Sequence, residues 1–107
     1  MPELVVVSHL TVKPGCRDQV LDALRDDLVT AHAEAGVVRF AVHQVIDDAQ
    51  KLVVVEVFSA KADLAVHYET DAFKKIAELL PDLLEGDVDV IQTEPIPMGD
   101  AVKGILD

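Results

Sequence analysis

Four histidines (His9, His32, His43 and His67) and one carboxylate set among valines, Glu56, are the side chains of this sequence best suited to moving protons. An unperturbed imidazole titrates near neutrality and can give or take a proton at physiological pH. No His-Glu-x-x-His, Cys-x-x-Cys or clustered carboxylate spacing is present, so no metal site is expected. His32 falls near the end of a helical stretch, where a cation complements the helix dipole in a structural role. His9 and His43 lie in strand-like segments flanked by apolar residues. His67 differs. It closes a short helical stretch just before the break at Glu69-Thr70, with Tyr68 and Phe73 close by. Breaks between helices that cover a sheet are natural pocket mouths. His67 is therefore the candidate catalytic residue, as general base or hydrogen-bond donor.

Glu56 interrupts the run Leu52–Val55 and Val57-Phe58. A buried ionised carboxylate is costly unless paired. Two readings are open: pairing with Arg39 on the neighbouring strand, which is the favoured one, or a raised pKa and service as a base. Tyr68 and Arg39 are candidates for orienting polar groups of a ligand. Phe40, Phe58 and Phe73 are candidate pocket walls, with core packing as their default role. Ser8 and Ser59 lack a nucleophile-elbow context, and Pro14-Gly15 alone is no phosphate loop. Cys16, the single cysteine, cannot form an internal disulfide; it reads as a surface or half-buried thiol in a reducing compartment.

These residues need elements to position them. Leu4–Val12 is rich in β-branched residues and ends at Lys13-Pro14-Gly15, so it reads as a strand. From Arg17 to Ala35 the period becomes helical, with Val20, Leu24, Leu28 and Ala31 on one stripe. Gly36 stands at the stopping point, where a left-handed residue is expected. Val37–Ile46 and Lys51–Phe58 are strands joined by the polar residues 47–50, hence an antiparallel hairpin. Ser59 is expected to cap a short helix to about Tyr68, and Thr70 or Asp71 the next one, which Pro81 bends or ends. Asp87–Thr93 is the last strand. The order β-α-β-β-α-β is the ferredoxin-like α+β arrangement, spanning residues 1–95, with 96–107 as a C-terminal tail or arm.

Helices in this arrangement cover one face of the sheet, yet the second and third strands are apolar on both sides. A large exposed apolar patch is unusual on a monomer. Sheet-to-sheet packing of two copies is therefore expected, the alternative being cover by the C-terminal arm. The net charge of −11 over 107 residues, without a basic stripe, excludes nucleic acid and anionic membranes as partners. No apolar run approaches a membrane span, and the Met-Pro-Glu start lacks a signal peptide's basic region, so a cytoplasmic location is expected.

Several local patterns, in order, resemble the antibiotic biosynthesis monooxygenase family, with its small quinol monooxygenases. They are the turn Val12-Lys13-Pro14-Gly15, the stretch Glu34-Ala35-Gly36-Val37 with Arg39-Phe40, Glu56-Val57-Phe58, and Ala62, Leu64 and His67 followed by Phe73. The resemblance covers about residues 3–93. It implies a ferredoxin-like domain that dimerises through its sheets as a dimeric α/β barrel. It also implies a cofactor-independent monooxygenase acting on a small aromatic or quinol-type ligand held between helices and sheet. Ala35 and Val37 replace the family's Pro and Cys, and Phe58 replaces a Trp. The absence of any Trp, with Phe73-Lys74-Lys75-Ile76-Ala77 where haem-degrading members carry a His, speaks against haem chemistry. Members without oxygenase activity exist, so two alternatives stand beside the enzyme: a non-catalytic dimeric binding or stress-response domain, and a small-metabolite isomerase.

Overall fold

β-Branched segments alternate with helical stretches along the chain. In a computed structural model describing residues 1–107 they become β1 (Leu4–Thr11), α1 (Arg17–Ala33), β2 (Val37–Val45), β3 (Asp48–Phe58), α2 (Ala62–Tyr68), α3 (Asp71–Leu83) and β4 (Asp89–Thr93). The strands form one antiparallel sheet in the order β2-β3-β1-β4. This is the expected ferredoxin-like α+β fold, with its second helical region broken into α2 and α3. No helix is long and apolar enough to cross a membrane.

Register decides what each face carries. Leu4, Val6, Ser8 and Leu10 of β1 stand opposite Phe58, Glu56, Val54 and Leu52 of β3. Because side chains alternate along a strand, these residues share the face beneath the helices. Val5, Val7 and His9, opposite Val57, Val55 and Val53, share the other face. The main core lies on the helix side, where Leu10, Leu52 and Val54 meet Val20, Leu24 and Ala31 of α1 and Ile76 of α3. A fully buried side chain of this kind contributes roughly 1.5–3 kcal/mol. A smaller cluster of Leu4, Val6, Phe58 and Leu64 seals the end near α2.

Local details depart from the sequence reading in four places. Ser59 does not cap α2; the Asp63 carboxylate accepts from the Ala60 amide instead, and Lys61 is the N-cap residue. Gly36 is not left-handed. It is required because a Cβ there would lie 2.3 Å from the Asp63 Cγ, so the chain entering β2 passes directly against the start of α2. Pro81 stays inside α3, which runs two residues further to Leu83. The β2–β3 turn is confined to Ile46-Asp47 because β3 begins at Asp48. Thr70 does cap α3: its hydroxyl accepts from the Phe73 amide at 3.2 Å and donates to the His67 carbonyl at 2.7 Å.

Beyond β4 the chain has no further strand or helix. A turn brings the Gly104 amide to the Asp100 carbonyl, and the carbonyl of Asp107 accepts from the Arg39 guanidinium at 3.0 Å.

Candidate active site

A cavity of about 320 Å³ lies between the helices and the sheet. Its sheet side is formed by Ser8, Phe40, Val54 and Glu56, and its helix side by Asp27 of α1, His67 and Tyr68 of α2, and Phe73 of α3. The volume suits one small ring system. Most of the wall is apolar, with Asp27, Glu56, His67 and Tyr68 forming a polar end and Ser8 and Asp87 as the other polar residues.

That end is organised around His67, which is almost completely buried, at 1% exposure. Its Nδ1 lies 2.7 Å from Glu34 Oε2, and its Nε2 faces Asp27 Oδ2 at 3.5 Å. The first contact is a full hydrogen bond. The second is an ion-pair separation that leaves Nε2 and Asp27 Oδ1 without hydrogen-bond partners. Phe40 and Phe73 flank the imidazole with ring centroids at 5.4 and 5.5 Å, in tilted and edge arrangements, and shield it from water.

Burial opposes the charged imidazolium. The hydrogen bond to Glu34 and the nearby carboxylates of Asp27 and Glu34 outweigh it and raise the His67 pKa to about 9. Glu56, buried on β3, behaves in the opposite sense. Burial pushes its carboxyl up to about 7, with the His67 charge pulling it down and the Asp27 charge pushing it up. Tyr68 is also raised, first by burial and then by the charge on Glu56. At neutral pH the site therefore combines a fixed cation with a carboxyl group poised to exchange its proton.

A domain of this topology with such a pocket can be compared with known proteins. The sequence profile of the antibiotic biosynthesis monooxygenases matches residues 4–79. The chain belongs to the antibiotic biosynthesis monooxygenase family. None of the curated proteins matches the sequence. Among solved structures, a Pseudomonas aeruginosa protein is similar with a TM-score of 0.82 at 24% identity, covering 90% of this chain and 96% of that one. An antibiotic biosynthesis monooxygenase is similar with a TM-score of 0.82 at 22% identity, covering 88% and 99%. A Mycobacterium tuberculosis protein reaches 0.82 at 19%, covering 92% and 97%. At these identities the likeness speaks for the fold alone.

Within this antibiotic biosynthesis monooxygenase domain, His67, Tyr68, Phe40, Phe73 and Glu56 come together around one cavity. Arg39 does not. Glu56 stands opposite Phe40, whereas Arg39 stands opposite Val57 and points to the other face of the sheet. Its guanidinium donates to the carbonyls of Val38 and Asp107. The expected Arg39–Glu56 pair is thus absent, and Glu56 meets His67 and Asp27 instead. Phe58 packs behind His67, with ring centroids 6.4 Å apart, but belongs to the smaller cluster and not to the cavity wall. His32 Nε2 donates to the Phe40 carbonyl at 2.9 Å, a structural contact.

Two further residues of the site, Asp27 and Glu34, are not marked as functional by the sequence pattern alone. Glu34 figured only within a family pattern. Asp27 carried a readable signal: Val20, Leu24, Asp27 and Ala31 follow the spacing of one helix face, so a carboxylate occupies a core position of α1.

Proposed function

We propose that this antibiotic biosynthesis monooxygenase domain oxygenates a small, flat, electron-rich phenol or quinol in the helix–sheet cavity, without an organic or metal cofactor. The observation that carries the reading is Glu56, a cavity-lining carboxyl whose pKa is raised to about 7 beside a buried imidazolium. A base poised near the working pH removes a phenolic proton efficiently. The resulting phenolate is electron-rich enough to reduce dioxygen itself. For a quinol the balance closes with one dioxygen: one oxygen atom joins the ring, and the other leaves as water with two hydrogens from the substrate. The aromatic walls hold the ring and exclude bulk water.

His67 has a different part in this reading from that of a free base. Held between Glu34 and Asp27 and protonated at neutral pH, it supplies fixed positive charge near the developing phenolate. Tyr68 lines the same cavity and is available to orient a polar group of the ring. The open sheet face takes a second copy of the chain, giving a twofold dimer with one cavity per protomer. Residues 96–107 act as an arm across that side, as the Arg39–Asp107 contact suggests.

Oxygen uptake with a panel of quinols tests the assignment. Wild-type protein should accelerate uptake above auto-oxidation, and Glu56→Gln should lower turnover by about 10²–10⁴-fold, the usual worth of a positioned base. Wild-type uptake at the background rate would sink the oxygenase reading. One observation favours a second reading: the same carboxyl can move a proton between carbons without oxygen, as an isomerase does. Anaerobic exchange of a substrate C–H for deuterium, with no oxygen consumed in air, would favour that reading.

A further inference from the structure

The Asp27 carboxylate is the least explained polar group in the molecule. It is 3% exposed, occupies a core position of α1, lines the cavity, and has one oxygen, Oδ1, without any hydrogen-bond partner. A buried acceptor left unpaired costs about 1–3 kcal/mol, and more when charged, so such groups persist where something else pairs with them. Its other oxygen faces His67 Nε2 at 3.5 Å, and His67 is anchored through Nδ1 to Glu34, whose side chain is 15% exposed.

We infer that Asp27 is a specificity-determining residue of the cavity: its carboxylate, one oxygen of which is unpaired, accepts a hydroxyl of an uncharged ligand and disfavours ligands that carry a full negative charge. His67 and Glu34 are positioning residues for this contact. In the line Glu34–His67–Asp27 the imidazole stands between two carboxyl groups, at 2.7 Å from Glu34 Oε2 and 3.5 Å from Asp27 Oδ2. The groups facing His67 from the surrounding elements are Asp27 on α1, Glu34 just after it, Glu56 on β3 and Tyr68 on its own helix. Asp27 and Glu34 flank the imidazole directly and the Glu56 carboxyl lies beside it, so the cavity is richer in hydrogen-bond acceptors than in positive charge. A ligand bearing a carboxylate, sulfonate or phosphate meets like charge in a dry site, whereas a dihydroxylated ring offers one hydroxyl to Asp27 and another to Glu56.

This inference deepens the oxygenation reading but is tested by binding alone, so the two can fail separately. Binding of 1,4-dihydroxynaphthalene, its monomethyl and dimethyl ethers, and 1-hydroxy-2-naphthoate is followed anaerobically by NMR titration of the whole chain. The diol should bind at least about tenfold more tightly than the dimethyl ether, since a hydrogen bond to a charged acceptor is worth that much. The naphthoate should bind more weakly still. Asp27→Asn should remove the discrimination against the naphthoate. Glu34→Gln should lower the pH at which the His67 ring titrates in the 15N spectrum and weaken diol binding, and Glu34→Asp should restore part of both. Equal binding of diol and dimethyl ether by the wild-type protein overturns the inference without use of any variant, as does naphthoate binding as tight as the diol or no diol binding at all. Diol binding with this pattern but no oxygen uptake would leave the inference standing and remove the oxygenase reading.

Discussion

The two faces of the sheet break the ordinary rule of burial in opposite directions. Under the helices, where apolar residues belong, Ser8 and Glu56 sit among Leu10, Leu52 and Val54, and the helices add Asp27 and His67. On the other face, where polar residues belong, β1 and β3 present the half-buried Val7, Val53 and Val55 beside the buried Val5 and Val57, and Ile91 of β4 is 48% exposed. Polar groups placed in a core cost stability, and apolar groups placed in water forgo it. Each departure therefore marks a place where folding alone does not explain the residue. One reads as a chemical site and the other as a surface for a second copy.

If the helix-covered face is a charge-balanced site, removing its cation should be the most damaging change. His67→Ala leaves Asp27 and Glu34 facing each other without compensation and should cost about 3–5 kcal/mol in urea unfolding. A cost below about 1 kcal/mol would mean that the carboxylates find other partners and that the contrast between the faces is overstated.

The pH dependence follows next in size. Glu56 has a folded pKa of about 7 against an ordinary value of 4.5, so the folded protein binds more protons than the unfolded chain in that interval. Stability should therefore fall as pH rises from 4.5 through 7, by on the order of 3 kcal/mol for a shift of this size. His67, raised from 6.5 to about 9, contributes stability that is full below 6.5 and lost as pH rises through 9. Denaturant melts across pH should show both declines in the wild-type protein and only the later one in Glu56→Gln.

The open face is sharpened by Val55→Asp. Burying an uncompensated carboxylate costs several kcal/mol, so dimer affinity measured by light scattering should fall by roughly 100-fold or more, equivalent to about 2.8 kcal/mol. Ligand binding in the cavity should persist, because Val55 points away from it. A monomeric wild-type protein would leave this apolar face without the proposed partner. The smallest effect is expected at the joint between α2 and α3. Thr70→Ala should cost about 1 kcal/mol as a lost helix cap. Calorimetry would measure it, with the cavity's affinity as the more sensitive readout, since the hydroxyl ties His67 to Phe73.

Much of this contrast is legible from residue order. β-Branched runs and a helical period suffice to place every strand and both helical regions, because burial periodicity is a local property of the chain. His67 and Glu56 stand out for the same reason, each being the wrong type for its neighbours. The partner of Glu56 does not. Whether Arg39 or Phe40 faces it depends on hairpin register, set by the tight Ile46-Asp47 turn and by irregularities between Val37 and Arg39 and between Gln44 and Val45. A shift of one residue sends every side chain of a strand to the opposite face. Asp27 was readable from the spacing of α1, but its neighbour Asp26 made the pair resemble an ordinary solvated acidic patch. The ion pairs with His67 join α1 to α2 across 33 or more residues of chain, and only the assembled fold supplies them.

Gly36 carries a consequence for how tolerance to change is distributed over this domain. It does not line the cavity, and a substitution there adds only a side chain at the edge of β2. That side chain would meet Asp63, the residue that secures the beginning of α2, at the far end of the helix from His67. The Asp63 side chain would have to rotate away and give up its hydrogen bond to the Ala60 amide, which loosens the first turn of α2. Mutational sensitivity in this protein should therefore follow the levers that connect positions and not their distance from the ligand. Gly36 is where a harmless-looking alanine would be felt in the helix that carries His67.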